Sequence, residues 1–228
     1  MEEIIPLSDP RVAAVALTEC GEPLVDLSQC AALRIDHRQA DPDGHYRHVR
    51  AGVRRRLLAA QRTLPTGVHF LVVEGYRSPE LQRRYFEEYT TTLRAARPGL
   101  SPSDLRELAS AYISPPEVAP HVSGGAVDLT LCRDDGTELP LGTEVNATPE
   151  ESGGACRTAA PWIGTEARAN RLVMERALTA VGFVNYPTEW WHWSYGERYW
   201  AVLRKVPASR YGPVAPPVTS ARPSISPA

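Results

Sequence analysis

Hydrophobic positions recur at helical spacing in some segments of the chain and form short apolar runs in others. Within residues 45–64, Val49, Val53 and Leu57 recur at three-to-four spacing, which predicts an amphipathic helix with a basic outer face. Residues 68–73 follow as a short and mostly apolar run, which predicts a buried strand. A helix followed by a buried strand is therefore expected in this part of the chain.

Helix starts and a hairpin extend this pattern. A serine that caps the first turn, followed by proline at the first helical position, is a frequent helix start, and it occurs at Ser78-Pro79 and Ser101-Pro102. A third helix is predicted over about 164–181, and residues 183–186 and 190–195 are predicted to form two strands of a hairpin. We therefore expect an α+β fold, with a small and mostly antiparallel sheet flanked by helices.

The composition favours one domain with a short tail. The chain has 228 residues, of which 43% are hydrophobic, and a formal net charge of −2. It can therefore bury one substantial core, and it lacks the charge excess that favours nucleic acids. We expect residues 1–206 to form a single domain and residues 207–228, rich in proline and serine, to be a flexible tail. The oligomeric state stays open.

The cellular location is expected to be the cytoplasm. The first six residues lack the basic and apolar regions of a secretion signal, and no apolar run reaches the roughly 18 to 20 residues that span a bilayer. We therefore expect no membrane partner. The cysteines, which are Cys20, Cys30, Cys132 and Cys156, form no C-x-x-C pair and are expected to be reduced thiols.

Two short segments carry a candidate metal site. His121 and Asp128 lie on either side of Gly124-Gly125, where the chain can turn sharply and bring the histidine back toward the carboxylate. Residues 127–131 alternate between apolar and polar side chains, which predicts a half-buried strand with Asp128 on one face. His192 stands between two tryptophans in a second alternating segment. Catalytic zinc usually takes three protein ligands and lowers the pKa of a bound water in its fourth position. The sequence therefore predicts one Zn²⁺ per chain, held by His121, Asp128 and His192.

Glu189 and Arg77 would supply the rest of a hydrolytic site. Glu189 lies three residues before His192 and can approach the metal-bound water without ligating the metal, which suits a general base. Arg77 stands between a predicted strand and a predicted helix, a rigid position that suits a catalytic cation. Without a metal, Glu189 would be an exposed hairpin charge and Arg77 would pair with a neighbouring glutamate, so both alternatives stay open.

The motifs His-x-x-Gly-x-Ala-x-Asp at 121–128 and Glu-Trp-Trp-His at 189–192 resemble those of the VanX-type zinc D-alanyl-D-alanine dipeptidases. These are relatives of the D,D-carboxypeptidases and of the hedgehog signalling domain. Residues 74–79 are similar to the stretch whose arginine stabilises the tetrahedral intermediate in that family. The resemblance runs from about residue 25 to residue 200. It implies a D,D-peptidase and hedgehog-like zinc fold that hydrolyses a small dipeptide, with Glu189 as base and Arg77 as oxyanion stabiliser.

Three positions depart from the family pattern. Ala119 stands where the family commonly has a serine, two residues before the first zinc histidine. Glu74 replaces an aspartate, and Asn146 aligns with an aspartate that helps to hold the substrate's ammonium group. The resemblance therefore implies that Glu74 and Asn146 bind substrate. It also leaves the identity and stereochemistry of that substrate open.

Two other functions remain as alternatives. One is a related D,D-carboxypeptidase or amidase that acts on a specialised metabolite or on a cell-wall intermediate. The other is a zinc-stabilised binding domain without turnover, as the hedgehog relatives illustrate. The presence of Glu189 and Arg77 argues against the second alternative, since a purely structural zinc site needs neither residue. The sequence does not decide between roles in resistance, cell-wall turnover and specialised metabolism.

Overall fold

Strands and helices alternate along the chain in an α+β architecture, as the sequence predicts. The structure is a computed structural model that describes residues 4–110 and 112–217. Within these ranges the strands are Ala16–Leu17 (β1), Leu24–Asp26 (β2), Arg34–Ile35 (β3), His48–Arg50 (β4), Val68–Glu74 (β5), Ala126–Arg133 (β6), Val184–Tyr186 (β7), Glu189–Ser194 (β8) and Ala208–Ser209 (β9). The helices are Pro10–Ala13 (α1), Ala51–Gln61 (α2), Pro79–Ala96 (α3), Pro102–Ser110 (α4), Thr165–Ala180 (α5) and Arg198–Leu203 (α6).

A five-stranded sheet with the order β3-β5-β6-β8-β7 lies at the centre of the fold. β3 runs parallel to β5, and the other neighbours are antiparallel. The mostly antiparallel sheet predicted from the sequence is therefore confirmed. Every residue of β6 is buried except the last, Arg133, so the polar side chains of Asp128 and Thr130 lie in the interior together with the apolar ones.

The largest hydrophobic cluster joins this sheet to helices α2 and α5. Leu57 of α2, Leu129 of β6 and Leu178 of α5 are fully buried in it, and Trp193 of β8 is 1% exposed. Burying a large apolar side chain of this kind stabilises a fold by roughly 1.5–3 kcal/mol. The cluster therefore holds the central strands firmly against the two helices.

The predicted helix over 45–64 begins later than expected, at Ala51. The preceding residues form β4, which pairs antiparallel with β2. Arg50 explains the extended backbone here, because its N–H donates to the carbonyl of Gly124 at 2.9 Å and its buried guanidinium donates to the carbonyl of Ser123 at 2.7 Å. These partners are distant in sequence, so helical periodicity does not reveal them.

Packed structure continues past residue 206, where the composition predicts the tail to begin. β9 pairs in parallel with β1, and Tyr211 is only 1% exposed. The N–H of Val214 donates to the carbonyl of Val122 at 3.1 Å, and the Tyr76 hydroxyl donates to the carbonyl of Val214 at 2.7 Å. Backbone hydrogen bonds thus hold a segment that is poor in large apolar residues. Residues 218–228 of the predicted tail lie outside the described residues.

The described residues also bear on membrane-spanning helices and on the state of the cysteines. In those ranges, no helix combines the length and the apolar character needed to cross a membrane. The four cysteines are free thiols, as expected, and two of them, Cys132 and Cys156, are buried.

Candidate active site

Three buried side chains meet where β6 and β8 pair. Asp128 and His192 are directly opposite each other in the antiparallel register, so their side chains share one face of the sheet. His192 Nδ1 lies 2.9 Å from Asp128 Oδ1, and His121 Nε2 lies 3.3 Å from His192 Nδ1 and 3.4 Å from Asp128 Oδ1. All three residues are at most 5% exposed. Residues that are 71 positions apart in sequence therefore form one compact cluster.

The donor set of this cluster fits a zinc ion. The three ligand atoms lie within 4.8 Å of one another. In a tetrahedral site with bonds of about 2.0–2.2 Å, ligand atoms are about 3.3–3.6 Å apart, close to the separations found here. Two imidazole nitrogens and one carboxylate oxygen are also ligands that zinc commonly takes.

A tight turn brings His121 to the two strands. Residues Pro120–Ser123 form a turn of 3-10 helix that ends at Gly124, whose φ of 66° is in the left-handed region that favours glycine. A Cβ atom at Gly124 would lie 2.4 Å from Leu24 Cδ2, so a larger residue would also clash. His121 Nδ1 donates to the carbonyl of Gly75 at 2.6 Å, which leaves Nε2 as the nitrogen that faces the cluster.

The electrostatics of the cluster favour an ionised carboxylate. Burial alone would raise the pKa of Asp128, but the imidazoles of His121 and His192 hold it well below its ordinary value. Burial also opposes the charged form of His121, yet the Asp128 carboxylate raises the pKa of His121 above its ordinary value. Positive charge is therefore stabilised next to Asp128, which is also what a bound cation requires.

Glu189 begins β8 and lies beside the cluster without belonging to it. Burial raises the pKa of the Glu189 carboxyl group above its ordinary value, while the neighbouring His192 lowers it to a smaller extent. Its charge also interacts with those of Asp128 and Arg77. A carboxylate with a raised pKa accepts a proton more readily than one in water, which suits general-base chemistry.

Arg77 lies between β5 and α3, as the sequence predicts. Its Nε donates to Glu74 Oε1 at 2.7 Å, its Nη2 pairs with the other oxygen of Glu74, and its Nη1 donates to Gln82 Oε1 at 2.8 Å. Ser78 caps the following helix by accepting a hydrogen bond from the N–H of Leu81 at 3.1 Å. A guanidinium has five N–H groups, and Arg77 donates three of them to acceptors among the described residues, so two remain for another acceptor.

The structure places the two expected substrate-binding residues differently. Glu74 is 4% exposed, and both of its oxygens pair with Arg77, so it has little capacity left for a substrate ammonium group. Asn146 is exposed, has a φ of 66°, and lies in a turn where the N–H of Ala147 donates to the carbonyl of Glu144. In the part of the chain that the structure describes, no hydrogen bond joins Asn146 to the metal-site residues.

Gln82 belongs to the site although the sequence interpretation did not include it. It is 1% exposed, accepts from Arg77, and donates from Nε2 to the carbonyl of Ser114 at 2.8 Å. It lies four residues before Phe86, which is also buried, on the same face of α3. A polar residue at a core position of a predicted helix is therefore the signal that could have identified it.

Comparison with known proteins places the chain among peptidases. A family model described as "D-ala-D-ala dipeptidase" matches residues 49–207, which is more than half of the chain. A D-alanyl-D-alanine dipeptidase of Synechocystis sp. is 27% identical over 218 residues, covering 82% of this chain and 87% of that protein. One from Escherichia coli (strain K12) is 35% identical over 72 residues, covering 32% of this chain and 35% of that protein.

Two solved structures also resemble the fold. The LD-carboxypeptidase LdcB has a TM-score of 0.48 and 19% identity, with 83% of this chain and 77% of that chain covered. A vancomycin resistance D,D-pentapeptidase, VanY, in complex with Zn(II) has a TM-score of 0.39 and 17% identity, with 69% of this chain and 76% of that chain covered.

Proposed function

This chain belongs to the D-ala-D-ala dipeptidase family of peptidases, and we propose that it hydrolyses a dipeptide of the D-alanyl-D-alanine type with one zinc ion per chain. The observation that carries this proposal is the meeting of His121 Nε2, Asp128 Oδ1 and His192 Nδ1 in one buried cluster beside Arg77 and Glu189. These three atoms would hold the metal. When bound, zinc supplies a Lewis acid that polarises the scissile carbonyl and lowers the pKa of water.

Glu189 is proposed to move the proton. Its carboxylate accepts a proton from the attacking water as the new C–O bond forms, and then delivers that proton to the amide nitrogen as the C–N bond breaks. The raised pKa of Glu189 supports both steps, since the group must gain and then lose the same proton. Its position at the start of β8, three residues before His192, supports its placement at the reacting carbonyl.

Arg77 is proposed to stabilise the negative charge that develops on the carbonyl oxygen. Two N–H groups of its guanidinium are not used by Glu74 or Gln82 and can donate to that oxygen. Burial opposes the charge on Arg77, but the Glu74 carboxylate raises its pKa above the ordinary value, so the cation persists. We therefore propose that Glu74 acts through Arg77, by orienting it, and does not bind the substrate ammonium group.

A second candidate is a D,D-carboxypeptidase or amidase that acts on a longer or N-blocked substrate. Ala119 favours it, because this buried residue precedes the turn at 120–123 and provides no side-chain hydroxyl there. The hydroxyl group that the family's serine would provide two residues before His121 is therefore absent. Membership in a peptidase family favours either enzyme over the zinc-stabilised binding domain.

A substrate panel with one matched pair of variants tests the proposal. The zinc-loaded protein is incubated with D,D-, L,D- and L,L-dipeptides and with N-acetyl-D-Ala-D-Ala, and the released amino acid is measured. We expect D,D-dipeptides to be cleaved fastest and Glu189→Gln to lower kcat by about 10²–10⁴-fold with zinc retained. Glu175→Gln, an exposed change on α5, is the control and should leave kcat unchanged.

Two results of this experiment would contradict the proposal. Faster cleavage of the N-acetylated substrate would favour the carboxypeptidase. Near wild-type turnover by Glu189→Gln would remove this residue from the mechanism.

A further inference from the structure

The pairing of β7 with β8 is interrupted where the proposed base and a proposed metal ligand lie. Asn185 pairs with Trp193, but the next residue, Tyr186, pairs with Glu189, so the register shifts between them. The β8 residues in between, which include His192, therefore have no partner in β7. Buried backbone carbonyl groups need hydrogen-bond donors, so carbonyl groups on this edge of β8 that receive no hydrogen bond from the backbone of β7 need another donor.

The side chain of Asn185 is that donor. Its Nδ2 donates to the carbonyl of Glu189 at 3.0 Å and to the carbonyl of His192 at 2.9 Å. Its Oδ1 accepts a hydrogen bond from the Thr158 hydroxyl. The opposite orientation of the amide would point Oδ1 at two carbonyl oxygens, so only one orientation satisfies all of these groups.

Thr158 is itself fixed by the connection that precedes α5. Its N–H donates to the carbonyl of Pro187 at 3.0 Å, next to the β7–β8 turn. The buried guanidinium of Arg171 donates from Nη1 to the carbonyls of Arg157 at 2.7 Å and Thr158 at 3.3 Å. The amide of Asn185 thus accepts a hydrogen bond from this connection on one side and donates hydrogen bonds to β8 on the other.

We propose that Asn185 is a positioning residue for the hydrolytic reaction, because one amide fixes the backbone of Glu189 and of His192 relative to each other. This inference rests on the proposed roles of those two residues. A bulged strand can change its local path, and an active-site displacement of about 1 Å can cost on the order of 10²-fold in rate. The two hydrogen bonds from Asn185 prevent such a displacement between the proposed base, Glu189, and the proposed metal ligand, His192.

Asn185→Asp is the main test, because it preserves size and replaces the donor with an oxygen that faces two carbonyl oxygens. We expect kcat per zinc-loaded molecule to fall by about 10- to 100-fold while KM stays within about twofold. The visible spectrum of the Co²⁺-substituted protein should change, and zinc should bind more weakly in competition with a chromogenic chelator. Asn170→Asp is the matched control, since Asn170 Nδ2 also donates to a carbonyl, that of Pro140 at 2.8 Å, outside the metal-site cluster.

A second variant tests the same inference if Asn185→Asp does not fold. Thr158→Val leaves the amide in place but removes the hydroxyl that orients it, and kcat should fall by about two- to tenfold with KM unchanged. A lower Tm with unchanged kcat per zinc-loaded molecule and an unchanged Co²⁺ spectrum, in the variants that fold, would show a purely structural role and overturn the inference. Glu189→Gln, measured in parallel, separates the two proposals. If Glu189→Gln retains turnover, the proposed mechanism fails. If Glu189→Gln loses turnover while the variants of Asn185 and Thr158 keep it, only the inference about Asn185 fails.

Discussion

The paired strands β6 and β8 and the long connection at 134–164 satisfy their backbone polar groups in different ways. In the strands, backbone groups pair with each other, and the register places Asp128 opposite His192. In the connection, the carbonyl oxygens of Leu141 and Ala155 accept hydrogen bonds from one buried side chain, Arg171, at 2.7 and 2.8 Å. The alternation of side chains along the strands sets the geometry of the first region, whereas the second region combines local backbone turns with hydrogen bonds from one side chain of a later helix.

This difference predicts which property of the protein a substitution in each region should change. A ladder of backbone hydrogen bonds survives the loss of one side chain, so changes at Asp128 or His192 should remove chemistry and preserve the fold. The connection depends on Arg171, so loss of that residue should mainly destabilise the fold and should lower zinc content much less than loss of a ligand does. Loss of a metal ligand should therefore mainly lower zinc content, whereas loss of Arg171 should mainly lower the free energy of unfolding.

The largest effect is expected from loss of a metal ligand in the strands. His192→Ala should lower zinc content from about one ion per chain to nearly none and reduce hydrolysis by several orders of magnitude, while unfolding stays cooperative. Elemental analysis of the dialysed protein checks this. His69→Ala is the matched control, because His69 lies on β5 of the same sheet and its Nε2 contacts the carboxylate of Asp134 at 2.7 Å. Full zinc occupancy in both His121→Ala and His192→Ala would show that the proposed ligands are wrong.

The same contrast explains how much of the molecule could be predicted from its sequence. The alternating residues of β6 and the Ser78-Pro79 helix start have local signals, and the structure has both elements where the sequence predicts them. β4 does not have such a signal, because its extended form depends on partners at 24–26 and on the buried side chain of Arg50. The hydrogen bonds from Asn185 to Glu189 and His192 could not be predicted either, since a register shift between two strands is not visible in the sequence of either strand alone.

The second-largest effect is expected in the connection. Arg171→Met should lower the free energy of unfolding by about 2–4 kcal/mol, because several buried carbonyls lose a donor at about 1–3 kcal/mol each. Part of that loss is offset because burial already penalises the charge, which lowers the pKa of Arg171 to about 10. Urea denaturation measures the change, and zinc content should remain at about one ion per chain.

Arg168→Met provides the comparison for this effect. Arg168 lies on the same helix and donates to one exposed partner, the carbonyl of Pro161 at 2.6 Å. Its loss should change the free energy of unfolding by less than about 0.5 kcal/mol. Equal destabilisation by the two variants would show that Arg171 does not organise the connection.

The smallest effect is expected in substrate recognition, where a position next to the metal site is compared with one in the connection. Ala119 is 4% exposed and lies two residues before His121, whereas Asn146 is exposed in the connection. Ala119→Ser should raise kcat/KM for D-Ala-D-Ala by about tenfold, since a new hydrogen bond to a charged substrate group contributes about 1.5 kcal/mol and about 1.4 kcal/mol corresponds to one decade. Asn146→Asp should change it by less than about twofold, because water and salt screen an exposed charge. The double variant should therefore behave like Ala119→Ser alone, and a further gain from Asn146→Asp would instead place residue 146 at the substrate's ammonium group.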